Sequence, residues 1–109
     1  MGKPFHRTES LCRRLKPLLA AAGARQAYLF GSYARGEADD ASDVDVAIIA
    51  DTTEPFVDRF RQFARVLDAV PESELLVYTP AEWAGMRAER ASFYLEIIER
   101  GIPLLGGHS

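Results

Sequence analysis

Leu11, Leu15, Leu18, Leu19 and Ala22 recur three and four residues apart, and this spacing predicts a helix that Gly23 closes. Pro17 falls inside the pattern and predicts a kink there. Residues 26–30 are short, apolar and aromatic, a strand ending at Gly31. A polar stretch from 31 to 42 reads as loop. A second strand then runs from Ser42 to about Ala50. Phe56, Phe60, Phe63 and Leu67 predict a second helix from about Glu54, ended by Pro71, and residues 74–78 form a third strand. Thr79-Pro80-Ala81-Glu82 is a capping box with proline at the first helical position. Helix continues through Phe93, Ile97 and Ile98 to Gly101, with a break near Ala91. Residues 102–105 leave room for a short last strand, and the tail 106–109 is expected to be disordered.

The order is α-β-β-α-β-α with that optional final strand. About a dozen residues join the first two strands, enough for an antiparallel pair and too few for a helical crossover. A full helix separates the second and third, the mark of a parallel crossover. The expected fold is α/β (α+β), a small mixed sheet with helices packed on it. With 109 residues and no repeat or linker, residues 1–109 read as a single domain.

Composition narrows the function. The chain is 48% hydrophobic and 27% charged, an ordinary globular balance. Cys12 stands alone, which excludes an intramolecular disulfide and a cysteine-based zinc site. The start, MGKPFHRTES, has no apolar run, and no stretch has the length of a membrane span, so a cytoplasmic protein is expected. Net charge is −3, but its distribution is uneven. Half of the 16 acidic residues lie between Glu37 and Asp58, while basic residues gather at Arg7, Arg13, Arg14 and Lys16 and again at Arg59, Arg61 and Arg65. A nucleic-acid binder carries one basic stripe, so this layout argues against nucleic acid and for a cation site.

The acidic centre contains a conflict. Asp43 and Asp45 interrupt an apolar strand and share one face of it, and two uncompensated carboxylates there cost several kcal/mol if buried. Either that face is solvated or a cation sits between them; Mg²⁺ prefers such hard oxygen ligands. Upstream, Gly31 and Ser32 follow a strand and form a turn of the kind that cradles phosphate oxygens, although a bare Gly-Ser is more often an ordinary turn. Gly31 and Gly36 have P-loop spacing, but Glu37 and Ala38 stand where Lys and Ser/Thr are required, so that reading fails. Glu74, heading the third strand, is the candidate third acid, with Glu72 one strand period away as the fallback. Arg35 is placed equally to touch phosphate or to brace the loop through Glu37 or Asp39. Tyr33 reads as exposed loop surface, Ser42 as ordering the turn before Asp43, and Asp39 and Asp40 as solvated loop acids. His6 and His108 near the termini need no role.

The segment GSYARGEADDASDVDVAI resembles the Gly-Ser-x-Ala-Arg-Gly … Ser-Asp-x-Asp signature of the minimal nucleotidyltransferases, within the DNA polymerase beta-like nucleotidyltransferase superfamily. The order of elements agrees over nearly the whole chain, and the Val-Tyr-Thr-Pro-x-Glu run at 77–82 is similar to that of its small members. The resemblance implies Asp43, Asp45 and Glu74 as ligands of two Mg²⁺ ions, with Glu74 standing where the family usually has Asp. It further implies ATP held at Gly31 and Ser32, with Arg35 nearby, and AMP transferred to a hydroxyl. Larger relatives add an acceptor-binding domain. Minimal members pair with a HEPN-domain protein as antitoxin and toxin. The alternative expectation is a catalytically weak module that neutralises its partner by contact.

Overall fold

The computed structural model describes residues 4–39 and 41–106. Asp40, His108 and the tail from 107 lie outside the described residues, as does the side chain of His6. Helix α1 spans Pro4–Ala21 and buries Leu11, Leu15 and Leu19 one turn apart. It runs through Pro17, which is exposed and gives up one backbone hydrogen bond. Gly23 ends it at φ +96°, with Gly23 N–H donating to the Ala20 carbonyl and Ala24 N–H to the Leu19 carbonyl, a Schellman closure.

Strand β1 (Gln26–Phe30) leads into a one-turn helix α2 (Ser32–Arg35), then β2 (Val44–Ile49). A 3-10 helix (Phe56–Phe63) and α3 (Ala64–Ala69) return the chain to β3 (Ser73–Tyr78). Helices α4 (Pro80–Ala88) and α5 (Ser92–Arg100) precede β4 (Ile102–Leu105). The sheet order is β3-β2-β1-β4. β1 pairs antiparallel with β2 and β4, while β2 pairs parallel with β3 through the helical crossover. The mixed sheet and its connections are those expected. The optional last strand is present, and the break before α5 falls at Arg90, which takes φ +53°.

Each sheet face carries its own core. Leu29, Val46, Ile48 and Val77 pack under α1 with Phe63 and Val66, and Tyr28, Ala47 and Ile49 pack under Trp83 and Ile97. β2 is therefore buried on both sides except where Asp45 interrupts it. Among the described residues, no helix is long and apolar enough to cross a membrane.

The second helix departs from expectation. It begins as a 3-10 helix, and Phe56 and Phe60 stay 44% and 42% exposed while Phe63 is fully buried. The inward positions are Arg59, Phe63, Val66 and Val70. The cause is Arg59, only 9% exposed, whose guanidinium donates to the carbonyls of Glu54 (2.9 Å) and Val77 (3.0 Å) and to both Glu82 oxygens (2.6 and 3.1 Å). Turning this fork inward rotates Phe56 and Phe60 out, where Phe56 rests on Tyr78.

Glu82 also accepts from Thr79 N–H at 2.9 Å, while Thr79 Oγ1 accepts from Glu82 N–H at 3.1 Å, completing the capping box. One carboxylate thus starts α4 and neutralises a buried cation. Glu82→Ala is expected to cost about 2–3 kcal/mol in urea denaturation, from a lost cap and an unpaired Arg59. Hydrogen bonding to Arg59, then to the Thr79 backbone, holds the Glu82 carboxyl below its ordinary value of 4.5. Its contribution is therefore complete above that value and disappears as pH falls through the lowered native one. The acid limb of the stability profile should flatten in Glu82→Gln.

Candidate active site

The candidate residues gather where β1 ends and β2 and β3 begin. In the register, Phe30 stands opposite Asp45, and Asp45 stands opposite Glu74. Directly paired positions share a face, so Phe30, Asp45 and Glu74 form one row across three strands. Asp43 precedes β2 by one residue and lies on the same side as Asp45 by the two-residue period. This face is the one covered farther along by Ala47, Ile49, Trp83 and Ile97. The two pairs that flank it, Val44 with Ser73 and Val46 with Leu75, point to the α1 side.

Gly31 is shaped by that row. It takes φ +76° and ψ −149°, a conformation an L side chain rarely adopts. A Cβ added there would collide with the Asp45 carboxylate. The missing side chain keeps the turn backbone and the acid against each other. The polar segment expected as loop contains α2, with Arg35 N–H on the Gly31 carbonyl (3.1 Å) and Gly36 closing the turn at φ +74°. Ser42 orders the end of the segment: Asp39 N–H donates to its hydroxyl (2.9 Å), and Ala41 N–H donates to Asp39 Oδ1 (2.9 Å). Asp39 is thus a turn-forming acid.

Asp43, Asp45 and Glu74 lie near enough to act on one another's charge, with little to neutralise them. Burial first, and the Asp43 charge second, raise the Asp45 pKa above its ordinary value, while Arg35 opposes the rise. The Glu74 carboxyl is raised by hydrogen bonding to Asp43, then by the charges of Asp43 and Asp45. Arg35 is occupied elsewhere, with Nε 2.9 Å from Glu37 and Nη1 4.0 Å from Glu96 on α5. Of the two roles expected for Arg35, the geometry displays the brace.

The donor set is hard, anionic and partly solvent-facing, which fits Mg²⁺. Among the described residues no three such side chains converge as a ready ligand cage. The remaining oxygens of a Mg²⁺ shell would come from water and phosphate, its ordinary habit. A cavity of about 650 Å³ lined by Tyr28, Trp83 and Tyr94 belongs to the opposite end of the sheet and contains none of these acids.

Two features escaped the sequence reading. Tyr33 is 4% exposed and belongs to the α1-side core, because α2 turns it inward, so its assignment to the loop surface was incorrect. An aromatic wall also adjoins the acid row: Phe30 and Phe93 meet edge-on at 5.2 Å, and Tyr78 lies 6.1 Å from Phe93. Phe93 is legible in the sequence as a position on the helix, but not which element its ring would face.

Residues 14–106 match the polymerase beta nucleotidyltransferase family. The chain belongs to this family. This nucleotidyltransferase is also 32% identical over 78 residues to a candidate protein adenylyltransferase of Methanocaldococcus jannaschii, a match covering 67% of the chain and 70% of that relative. Its fold is similar to that of a candidate nucleotidyltransferase from Sulfolobus solfataricus, with TM-score 0.62 and 15% identity over 94% of this chain and 86% of that one. A toxin–antitoxin structure determined with AMP-PNP gives TM-score 0.64 and 22% identity, covering 87% of this chain and 73% of that one. At these identities the structural likenesses speak for the fold.

Proposed function

We propose that this nucleotidyltransferase transfers AMP from ATP, with Mg²⁺, to a hydroxyl of a HEPN-type partner protein, acting as the cytoplasmic antitoxin of a pair. The observation that carries the reading is the row in which Asp45 faces Glu74 across the parallel pair and lies against the Gly31 backbone. Residues 1–109 act as one domain in this reading. The protein acceptor is supported by the relative from M. jannaschii and by the toxin–antitoxin likeness.

Asp43 and Asp45 hold the metal, with Glu74 completing the acid set. Bound there, the metal would supply Lewis acidity to the phosphates under transfer. Gly31 and Ser32 hold the β- and γ-phosphates through backbone N–H and hydroxyl, so that attack is in line. Glu74, its pKa raised by its neighbours, is suited to take the proton of the attacking hydroxyl. Arg35 braces the phosphate turn against α5. The contact-only alternative draws on one observation, the exposed Phe56, Val57 and Phe60.

ATP with Mg²⁺ should raise the melting temperature by several degrees through linkage, and either component alone should do less. Glu74→Gln should keep most of that rise while losing roughly 100-fold in transfer. No rise in the wild-type protein would favour the contact-only reading.

A further inference from the structure

We infer that the ring pair of Phe30 and Phe93 stacks the base of the nucleotide and selects purine nucleoside triphosphates as a class; this rests on the nucleotidyl-transfer reading above. The core on this face of the sheet is sealed one row behind the acids, where Tyr28 and Ala47 lie under Trp83 and Ile97. Toward the acid row it ends in rings. Phe30, Phe93 and Tyr78 pack on that core yet are only half-buried.

Phe30 joins this rim to both parts of the candidate site. It stands opposite Asp45 across the antiparallel pair, where facing Cβ atoms are about 5 Å apart, and it directly precedes Gly31. Phe93 meets it edge-on, with ring centroids 5.2 Å apart and planes at 88°. Glu96, about one helical turn after Phe93, lies 4.0 Å from Arg35 of α2. The side of α5 that carries Phe93 therefore faces the helix that follows the Gly31 turn.

The direction of attack assigns the pair to the base. With the β- and γ-phosphates on Gly31 and Ser32, pyrophosphate leaves on the β1 side. A hydroxyl in line with it enters from the β3 side, beside Glu74. Tyr78 and the Phe56 ring that rests on it belong to that acceptor side. Phe30, on β1, belongs to the nucleotide side, with Phe93 against it. The two phenylalanine rings offer faces and edges and no hydrogen-bonding group. They grip a base by the area it stacks, so a purine is held better than a pyrimidine, and adenine and guanine alike.

Calorimetric titrations with Mg²⁺ compare ATP, GTP, UTP and inorganic tripolyphosphate, which can use the phosphate turn but has no base. The wild-type protein should bind ATP and GTP within about threefold of each other and UTP roughly tenfold more weakly. Phe93→Leu keeps apolar bulk for the core and loses the ring. It should weaken ATP binding about tenfold and leave tripolyphosphate binding unchanged, which also shows that the variant is folded. Phe93→Tyr should restore ATP binding, and Phe56→Ala, which removes a ring from the acceptor side, should leave it at the wild-type value. No ATP binding, UTP bound as tightly as ATP, equal loss of ATP and tripolyphosphate in Phe93→Leu, no loss of ATP there, or as large a loss in Phe56→Ala would overturn the base platform. Failure of the transfer reading registers separately: ATP binding would depend on the Phe93 ring, yet no label from ATP would reach any acceptor.

Discussion

Gly31→Val is expected to abolish nucleotide binding and to lower transfer by at least about 100-fold, since displacement of the phosphate turn disrupts the in-line geometry. Two costs act together at this position. The backbone sits at φ +76°, where a β-branched residue is strained by about 1–3 kcal/mol. The new Cβ also meets the Asp45 carboxylate, which would have to move out of the acid row. Gly36 separates these contributions: its φ is +74°, but nothing lies within 4 Å of an added Cβ. Gly36→Asn should therefore keep ATP binding, since asparagine tolerates the left-handed region. Ser32→Ala, which loses a hydroxyl and keeps the N–H, should weaken binding only by about tenfold. Calorimetric ATP titration with parallel urea denaturation reads both effects. Wild-type affinity in Gly31→Val would make the turn merely structural.

Asp43→Asn combined with Asp45→Asn should remove the Mg²⁺-dependent response to ATP and reduce transfer by about 1,000-fold or more. The same variant should be more stable than wild type without metal. Asp45 and Glu74 have native pKa values above their ordinary ones, so the folded state holds their protons more tightly than the unfolded state. Metal-free stability therefore falls as pH rises through those native values, and at neutral pH the repulsion is fully present. Neutral asparagines remove it. Thermal melts across pH 4–8 should show the wild-type decline and a flatter curve for the variant. Metal affinity should move oppositely, rising with pH as protons leave the ligands.

Much of the arrangement was legible because it depends on connection length. A dozen residues between β1 and β2 required an antiparallel pair, and a helical crossover to β3 required a parallel one. Together these placed the acid of SELLVYT beside Asp-x-Asp, and the register sets Glu74, rather than Glu72, opposite Asp45. Glu72 instead lines a small cavity against α1 with Ser10, Leu11 and Tyr33. The phenylalanine spacing misled because helix periodicity does not report which side a buried arginine takes. Arg59 reads in the sequence only as one of a basic cluster with Arg61 and Arg65, yet its four hydrogen bonds set the rotation of the whole segment. Tyr33 misled for a related reason. A polar segment read as loop hid one helical turn, and that turn is long enough to send its aromatic ring into the core. The basic run in α1 was visible as charge, but only the fold divides it between two cavities.

In the proposed function, nucleoside monophosphate leaves ATP at the Asp43–Asp45 face and arrives on a protein partner. Parallel reactions with α-³²P-ATP and γ-³²P-ATP, using the partner isolated with this protein, test it most directly. The prediction is Mg²⁺-dependent label on the partner from the α-position alone, absent with the double asparagine variant. Label from the γ-position, or α-label undiminished in that variant, would contradict it.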